Sequence, residues 1–177
     1  MGSEMCIRDR KKCREFLKKN PTHSYAMSQL SEIANRLGYF DDAETLLEKA
    51  VEFNPDDGEL RMKYAMILRK KQKFAKTMQQ VNILCEKFPN NLSYQAQKAS
   101  EMMQNGDHNE AIELFDKILS KNPYNFSSLT SKGHAQKTLG LTNDAIQSYQ
   151  QAYKTKPDHG EAYFSCLLYT SPSPRDS

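Results

Sequence analysis

Histidine, cysteine and lysine beside glycine are the side chains best suited to chemistry here, and their spacing decides what they could do. The four histidines are His23, His108, His134 and His159. No two stand four residues apart, so no helix face presents a His pair to a metal ion. The four cysteines, Cys6, Cys13, Cys85 and Cys166, form no C-x-x-C pair and suggest neither zinc, redox chemistry nor a disulfide framework. Cys13 and Cys85 fall at or beside apolar helical positions, where a free cysteine acts as a small buried hydrophobe. The seven glycines include no G-x-x-x-x-G-K element, which a backbone cradle for phosphate would need. The basic run Arg69-Lys-Lys-Gln-Lys73 could touch phosphate, but it falls where a helix should end and where cations complement the helix dipole. The expectation is therefore no catalytic residue, no cofactor and no metal: this chain is not an enzyme by itself.

The elements behind these residues are read from the prolines. Pro21, Pro55, Pro89, Pro123 and Pro157 are each 34 residues from the next, a period that signals a repeat architecture. Gly38, Gln72, Gly106 and Gly140 keep the same phase, as do the small residues Ala43, Thr77, Ala111 and Ala145. Behind them follow the apolar positions Leu47, Val81, Phe115 and Tyr149, then Ala50, Leu84, Ile118 and Ala152. Proline ends a helix because it lacks an N–H and restricts the residue before it. The mid-repeat glycine permits a tight turn between two helices. Asp41, Asn109 and Asn143 are expected to cap the second helix of their repeats. Gln72 and Thr77 replace Gly and Ala, so the turn of the second repeat should be the least ideal.

The fold class is all-α: a right-handed superhelical α-solenoid of antiparallel helix pairs. Four full repeats are expected at 24–57, 58–91, 92–125 and 126–159, each with a helix A of about 13 residues and a helix B of similar length. Residues 11–23 read as helix B of a partial repeat, with Cys13, Phe16 and Leu17 in phase, and residues 160–165 as the start of a further helix A. The composition, 38% hydrophobic and 27% charged, suits a thin stack with much surface per residue. A net charge of +3 is too small to argue for nucleic acid. No apolar run approaches the length of a membrane span, and the N-terminus lacks the apolar segment of a secretory signal, so a cytoplasmic location is expected.

This pattern resembles the tetratricopeptide repeat, and that resemblance implies that helix A lines the concave face. By phase, its exposed inner positions are Tyr25, Gln29, Glu32 and Arg36, then Met62, Lys63, Met66, Arg69 and Lys70. The third repeat contributes Gln97, Ser100 and Gln104, and the fourth Thr130, His134 and Lys137. Positive charge, amides and adaptable Met together suit an extended or helical peptide of some acidic character. A plain solvated face that only spaces domains is the competing reading.

This pattern resembles the tetratricopeptide repeat over about 145 of the 177 residues. Among the uses of that family is a two-carboxylate clamp on chaperone tails, which resembles a set of Lys, Asn and Arg residues on helix A. Here Ser28 and Glu32 occupy the first two such positions, and a glutamate would repel a carboxylate, so clamp-type docking is not expected. Five stretches look more specific: Ser31-Glu-Ile-Ala-Asn-Arg-Leu-Gly38, Asp42-Ala-Glu-Thr-Leu-Leu-Glu-Lys-Ala50, Tyr64-Ala65 with the basic run, Gly133-His-Ala-Gln-Lys-Thr-Leu-Gly140 and Gly160-Glu-Ala-Tyr-Phe-Ser165. They resemble the repeat region of bacterial tetratricopeptide-bearing sulfotransferases. That resemblance implies a parent protein whose next domain uses 3′-phosphoadenosine 5′-phosphosulfate. A free-standing adaptor that binds a peptide is the alternative.

The repeat phase stops at both ends. Residues 1–10, Met1-Gly-Ser-Glu-Met-Cys-Ile-Arg-Asp-Arg10, and residues 166–177, Cys166-Leu-Leu-Tyr-Thr-Ser-Pro-Ser-Pro-Arg-Asp-Ser177, carry none of its markers. Both resemble translated sequencing-adapter read-through; an ordinary pair of disordered tails is the other reading. On the first reading the natural segment runs from about Lys11 to Ser165 and is a piece of a longer protein. Its cut ends would expose apolar surface and favour self-association.

Overall fold

The computed structural model describes residues 2–158, with side chains from Arg10 onward. The expectations for residues 160–165 and 166–177, with Cys166 and His159, lie outside the described residues, and Cys6 lies before the first described side chain. Among the described residues every regular element is an α-helix: α1 (Gly2–Lys19), α2 (Ser24–Arg36), α3 (Phe40–Phe53), α4 (Gly58–Lys70), α5 (Phe74–Lys87), α6 (Leu92–Asn105), α7 (His108–Lys121), α8 (Phe126–Thr138) and α9 (Thr142–Thr155). The chain divides into two compact units, one ending at Asn90 and one starting at Asn91.

In the first unit α2 packs on α3 and α4 on α5, with α1 laid on α2 and α3 on α4. Its core gathers Met27, Leu47, Ala50, Leu60, Tyr64 and Leu68, all buried, with Leu17 of α1 packed against them. In the second unit α6 packs on α7 and α8 on α9, with α7 against α8. Ala99, Ala111, Phe115 and Ile118 form one core cluster there, and Leu129 with Ala152 another. The phased small and large positions of helix B are all buried: Ala43, Thr77, Ala111 and Ala145, and beyond them Leu47, Val81, Phe115 and Tyr149.

A further phased position, on helix A, explains how these bulky residues fit. Ser31, Ala65, Ala99 and Gly133 are all small and all buried. Where the helix-B residue is largest, Tyr149, the helix-A residue is glycine, and a Cβ on Gly133 would stand 2.6 Å from the Tyr149 ring.

Each helix A ends in the same backbone motif. The residue in the left-handed region donates to the carbonyl three back, and the next residue to the one five back. In the first repeat these are Gly38 to Asn35 and Tyr39 to Ala34, at 3.2 and 2.9 Å. Gly38, Gly106 and Gly140 hold φ of 80°, 94° and 76°. Gln72 holds φ 58° at the same place, a left-handed conformation with a side chain.

Two expectations are corrected. Asp41, Asn109 and Asn143 do not cap helix B, because α3, α7 and α9 begin one residue before them. The cap positions are Tyr39, Asp107 and Leu141, without a side-chain cap bond, since the tight turn leaves only two or three residues between the helices. The side-chain caps stand instead before helix A, at His23, Asp57, Asn91 and Asn125, again one repeat apart. Secondly, helix α1 does not begin near Lys11. It starts at Gly2, because residues 3–19 contain neither proline nor glycine and are rich in helix-forming Arg, Lys and Glu.

Candidate functional site

The inner face of α2 and α4 forms a slot of about 360 Å³. Its floor is Leu47 of α3 and Ile67 of α4, both buried. Met66, 54% exposed, forms a wall. The rim carries Glu32, Asn35, Lys63 and Lys70, with Ser31 beside Glu32. The lysines stand seven residues apart on α4, two turns and about 10 Å along the helix. Lys63 Nζ donates to Ser28 Oγ at 3.3 Å and lies 3.5 Å from Glu59. Lys70 Nζ donates to Asn35 Oδ1 at 2.8 Å and sits over the Phe40 ring. Glu32 is paired with Arg36 at 2.7 Å. A second cleft of about 350 Å³ lies between α1 and α2, lined by Lys12 and Cys13 of α1 and by Gln29, Glu32, Ile33 and Arg36 of α2.

Of the residues expected on this face, the structure brings Glu32, Lys63, Met66 and Lys70 into the slot. Gln29 and Arg36 lie in the neighbouring cleft. Tyr25 stands 66% exposed at the start of α2, and Met62 and Arg69 are half-buried on α4. In the second unit Gln104 and Lys137 are exposed, and Gln97 and Ser100 are half-buried. The Gln97 amide donates to Glu101, an acid only 2% exposed, at 2.6 Å. His134 directs its ring at its own helix-B partner: Nδ1 and the Tyr149 hydroxyl share a hydrogen bond of 2.9 Å. Thr130 does not belong to an exposed face. It is 6% exposed and its hydroxyl donates to the Phe126 carbonyl at 2.8 Å. Ser28, one repeat period away three times over, is buried as well, so this position of helix A turns toward its neighbours. Ser31, Asn35, Leu47 and Ile67 were not foreseen. Asn35 had a signal, because it shares the phase of Arg69 and Lys137.

The basic run is engaged with the repeat before it. Lys71 bonds Asp41 and Glu44, and Lys73 bonds both Glu44 oxygens at 2.6 and 2.8 Å. Burial pushes the Glu44 carboxyl upward, but the bonds from Lys71 and Lys73 outweigh it and hold the group below the ordinary glutamate value. The bonds from Asp41 and Glu44 hold Lys71 well above the ordinary lysine range. Arg61, also buried, donates to Gln80 at 2.7 Å and to the Pro55 carbonyl at 3.0 Å. Cys13 and Cys85 are half-buried. Among the described residues no three His, Cys, Asp or Glu side chains are placed to hold a metal ion, and no helix is long and apolar enough to cross a membrane.

Residues 26–67 and 126–159 each match a family model described as tetratricopeptide repeat. These two segments carry tetratricopeptide repeats. The solved structure of MamA is similar at 18% identity, covering 84% of this chain and 86% of that one, with a TM-score of 0.75. That of YrrB, described as a TPR protein with an unusual peptide-binding site, is similar at 16% identity over 93% of this chain and 84% of that one, TM-score 0.76. A MamA structure from Desulfovibrio magneticus RS-1 is similar at 13% identity over 82% of each chain, TM-score 0.72. At these identities the likeness shows the fold: a tetratricopeptide solenoid. No curated protein matches the chain significantly.

Proposed function

We propose that this chain is a non-catalytic interaction scaffold that binds a peptide segment of a partner protein on the helix-A face of its repeats. The observation that carries the reading is the slot between α2 and α4, with an apolar floor under a rim of hydrogen-bonding and charged groups. Recognition sites for peptides combine these features: pockets take side chains, and polar rims take the main chain. The peptide-binding site named for YrrB, which shares the fold, adds weight. Selection from a random-peptide phage library on the purified chain, followed by amide hydrogen exchange with a selected peptide, tests it. Protection confined to α2 and α4 is expected. Selected peptides that protect only the outer face of α3 and α5 would sink the reading.

A second reading concerns the parent protein. The stretches that resemble sulfotransferase repeat regions, above all Gly160-Glu-Ala-Tyr-Phe-Ser165, favour a scaffold placed before a phosphosulfate-using domain. The purified chain should then transfer no sulfate to any acceptor and show no saturable cofactor binding. Reading the genomic locus beyond Phe164 decides between this parent and a free-standing adaptor. A long frame with a Gly-rich phosphate loop supports the former, and a stop codon after one polar helix the latter. An uninterrupted natural frame through residues 166–177 would refute the adapter reading of that end.

A further inference from the structure

The slot has a chemistry more particular than peptide binding in general. Leu47 and Ile67 at its floor offer only hydrocarbon, and Met66 beside them is unbranched and adaptable. A side chain entering here gains by leaving water only if it is apolar. The rim is unequal on its two sides. On the α4 side stand Lys63 and Lys70, two turns apart. Each ammonium has three donors. Lys70 gives one to Asn35, and Lys63 reaches Ser28 and, more loosely, Glu59, so both retain capacity for a carboxylate. On the α2 side stands Glu32, whose carboxylate is held by Arg36 and would repel another.

We propose that the α2–α4 slot recognises an acidic partner segment that inserts one apolar side chain between Lys63 and Lys70 and lays flanking carboxylates against those two lysines. The inference rests on the peptide-scaffold reading above and gives it a ligand class. The two lysine positions are about 10 Å apart, which an extended chain covers in roughly three residues. An apolar residue flanked closely by Asp or Glu on both sides therefore matches the slot, with its carboxylates on the α4 side, away from Glu32. Both the Coulombic and the apolar parts are required. A rim charge alone confers rate and salt dependence more than affinity.

The test uses the full chain and four fluorescein-labelled synthetic peptides in anisotropy titrations. The first carries Leu flanked by Glu on each side in a Gly-Ser background, the second has Ser for Leu, the third Lys for Glu, and the fourth only Gly and Ser. The first should bind at least about tenfold more tightly than each of the others and weaken as salt is raised. Lys63→Glu with Lys70→Glu should cost about tenfold in that affinity, while Lys117→Glu, exposed on α7 of the second unit, should leave it unchanged. Met66→Glu, at an exposed position that folding does not need, should close the slot to Leu and abolish the difference between the first two peptides. Equal binding of the Leu and Ser peptides, or binding that survives the double lysine reversal, overturns the proposal as non-specific attraction of a polyanion. Failure of all four peptides also overturns it. If phage-selected peptides nonetheless bind on α2 and α4, the broader peptide-scaffold reading survives that failure; if none bind, both fall.

Discussion

Gln72 occupies the place where the other three repeats put glycine, and the backbone does not yield: its φ of 58° is close to theirs in hand. A side chain in the left-handed region costs on the order of 1 kcal/mol relative to glycine. Gln72→Gly should therefore raise stability by about 0.5–1 kcal/mol in urea unfolding; an unchanged or lower midpoint would mean the glutamine side chain earns its place through contacts. Gly133 shows the opposite case. Its φ lies outside the left-handed region, so what matters is space: a Cβ would meet Tyr149 at 2.6 Å. Gly133→Ala should destabilise by about 1–3 kcal/mol, and pairing it with Tyr149→Leu should recover part of the loss, as expected when the cost is overpacking.

Among elements, the four side-chain caps before helix A do work that the turns before helix B do by backbone alone. Asn125→Ala removes the acceptor for Ser128 N–H, now 3.0 Å from Oδ1, and should cost about 1 kcal/mol. Asn143→Ala, one residue inside α9, should cost much less, and a cost equal to that of Asn125→Ala would contradict the cap assignment. Glu44 ties α3 to the turn between α4 and α5 through Lys71 and Lys73. Because its carboxyl sits below the ordinary value when folded, its contribution is present above the unfolded glutamate range and is lost as pH falls through the depressed value. Glu44→Gln should flatten the acid limb of the stability–pH curve. A variant that loses stability equally at neutral and acid pH would show that packing of the side chain, not its charge, is what matters.

For the whole molecule, each compact unit holds its own buried core, so stability is expected to reside within the units and their nearest-neighbour helix contacts. A fragment ending at Asn90 should keep the helical circular dichroism of α1–α5 and melt cooperatively, since Leu47, Leu68 and Tyr64 lie wholly within it. A coil spectrum would refute that independence.

The sequence by itself determined the helices, their pairing and the residues that meet inside each pair. These follow from local rules: proline and glycine punctuation at a fixed period, and apolar residues that recur with the helical turn. It also brought half of the slot within reach, because Glu32, Lys63, Met66 and Lys70 follow from the phase of helix A. Only the tertiary structure decided which polar residues of helix A stay open and which are engaged inside their repeat. Thr130 and His134 are both polar and were expected on the exposed inner face, yet one is buried on Phe126 and the other bonded to Tyr149. The basic run was equally undecided, since a lysine reads the same in sequence whether it meets solvent or the Asp41 and Glu44 carboxylates. Periodicity fixes the direction in which a side chain leaves its own helix. What it meets there depends on the adjoining helix, whose distance and tilt come from packing across pairs of residues such as Gly133 and Tyr149.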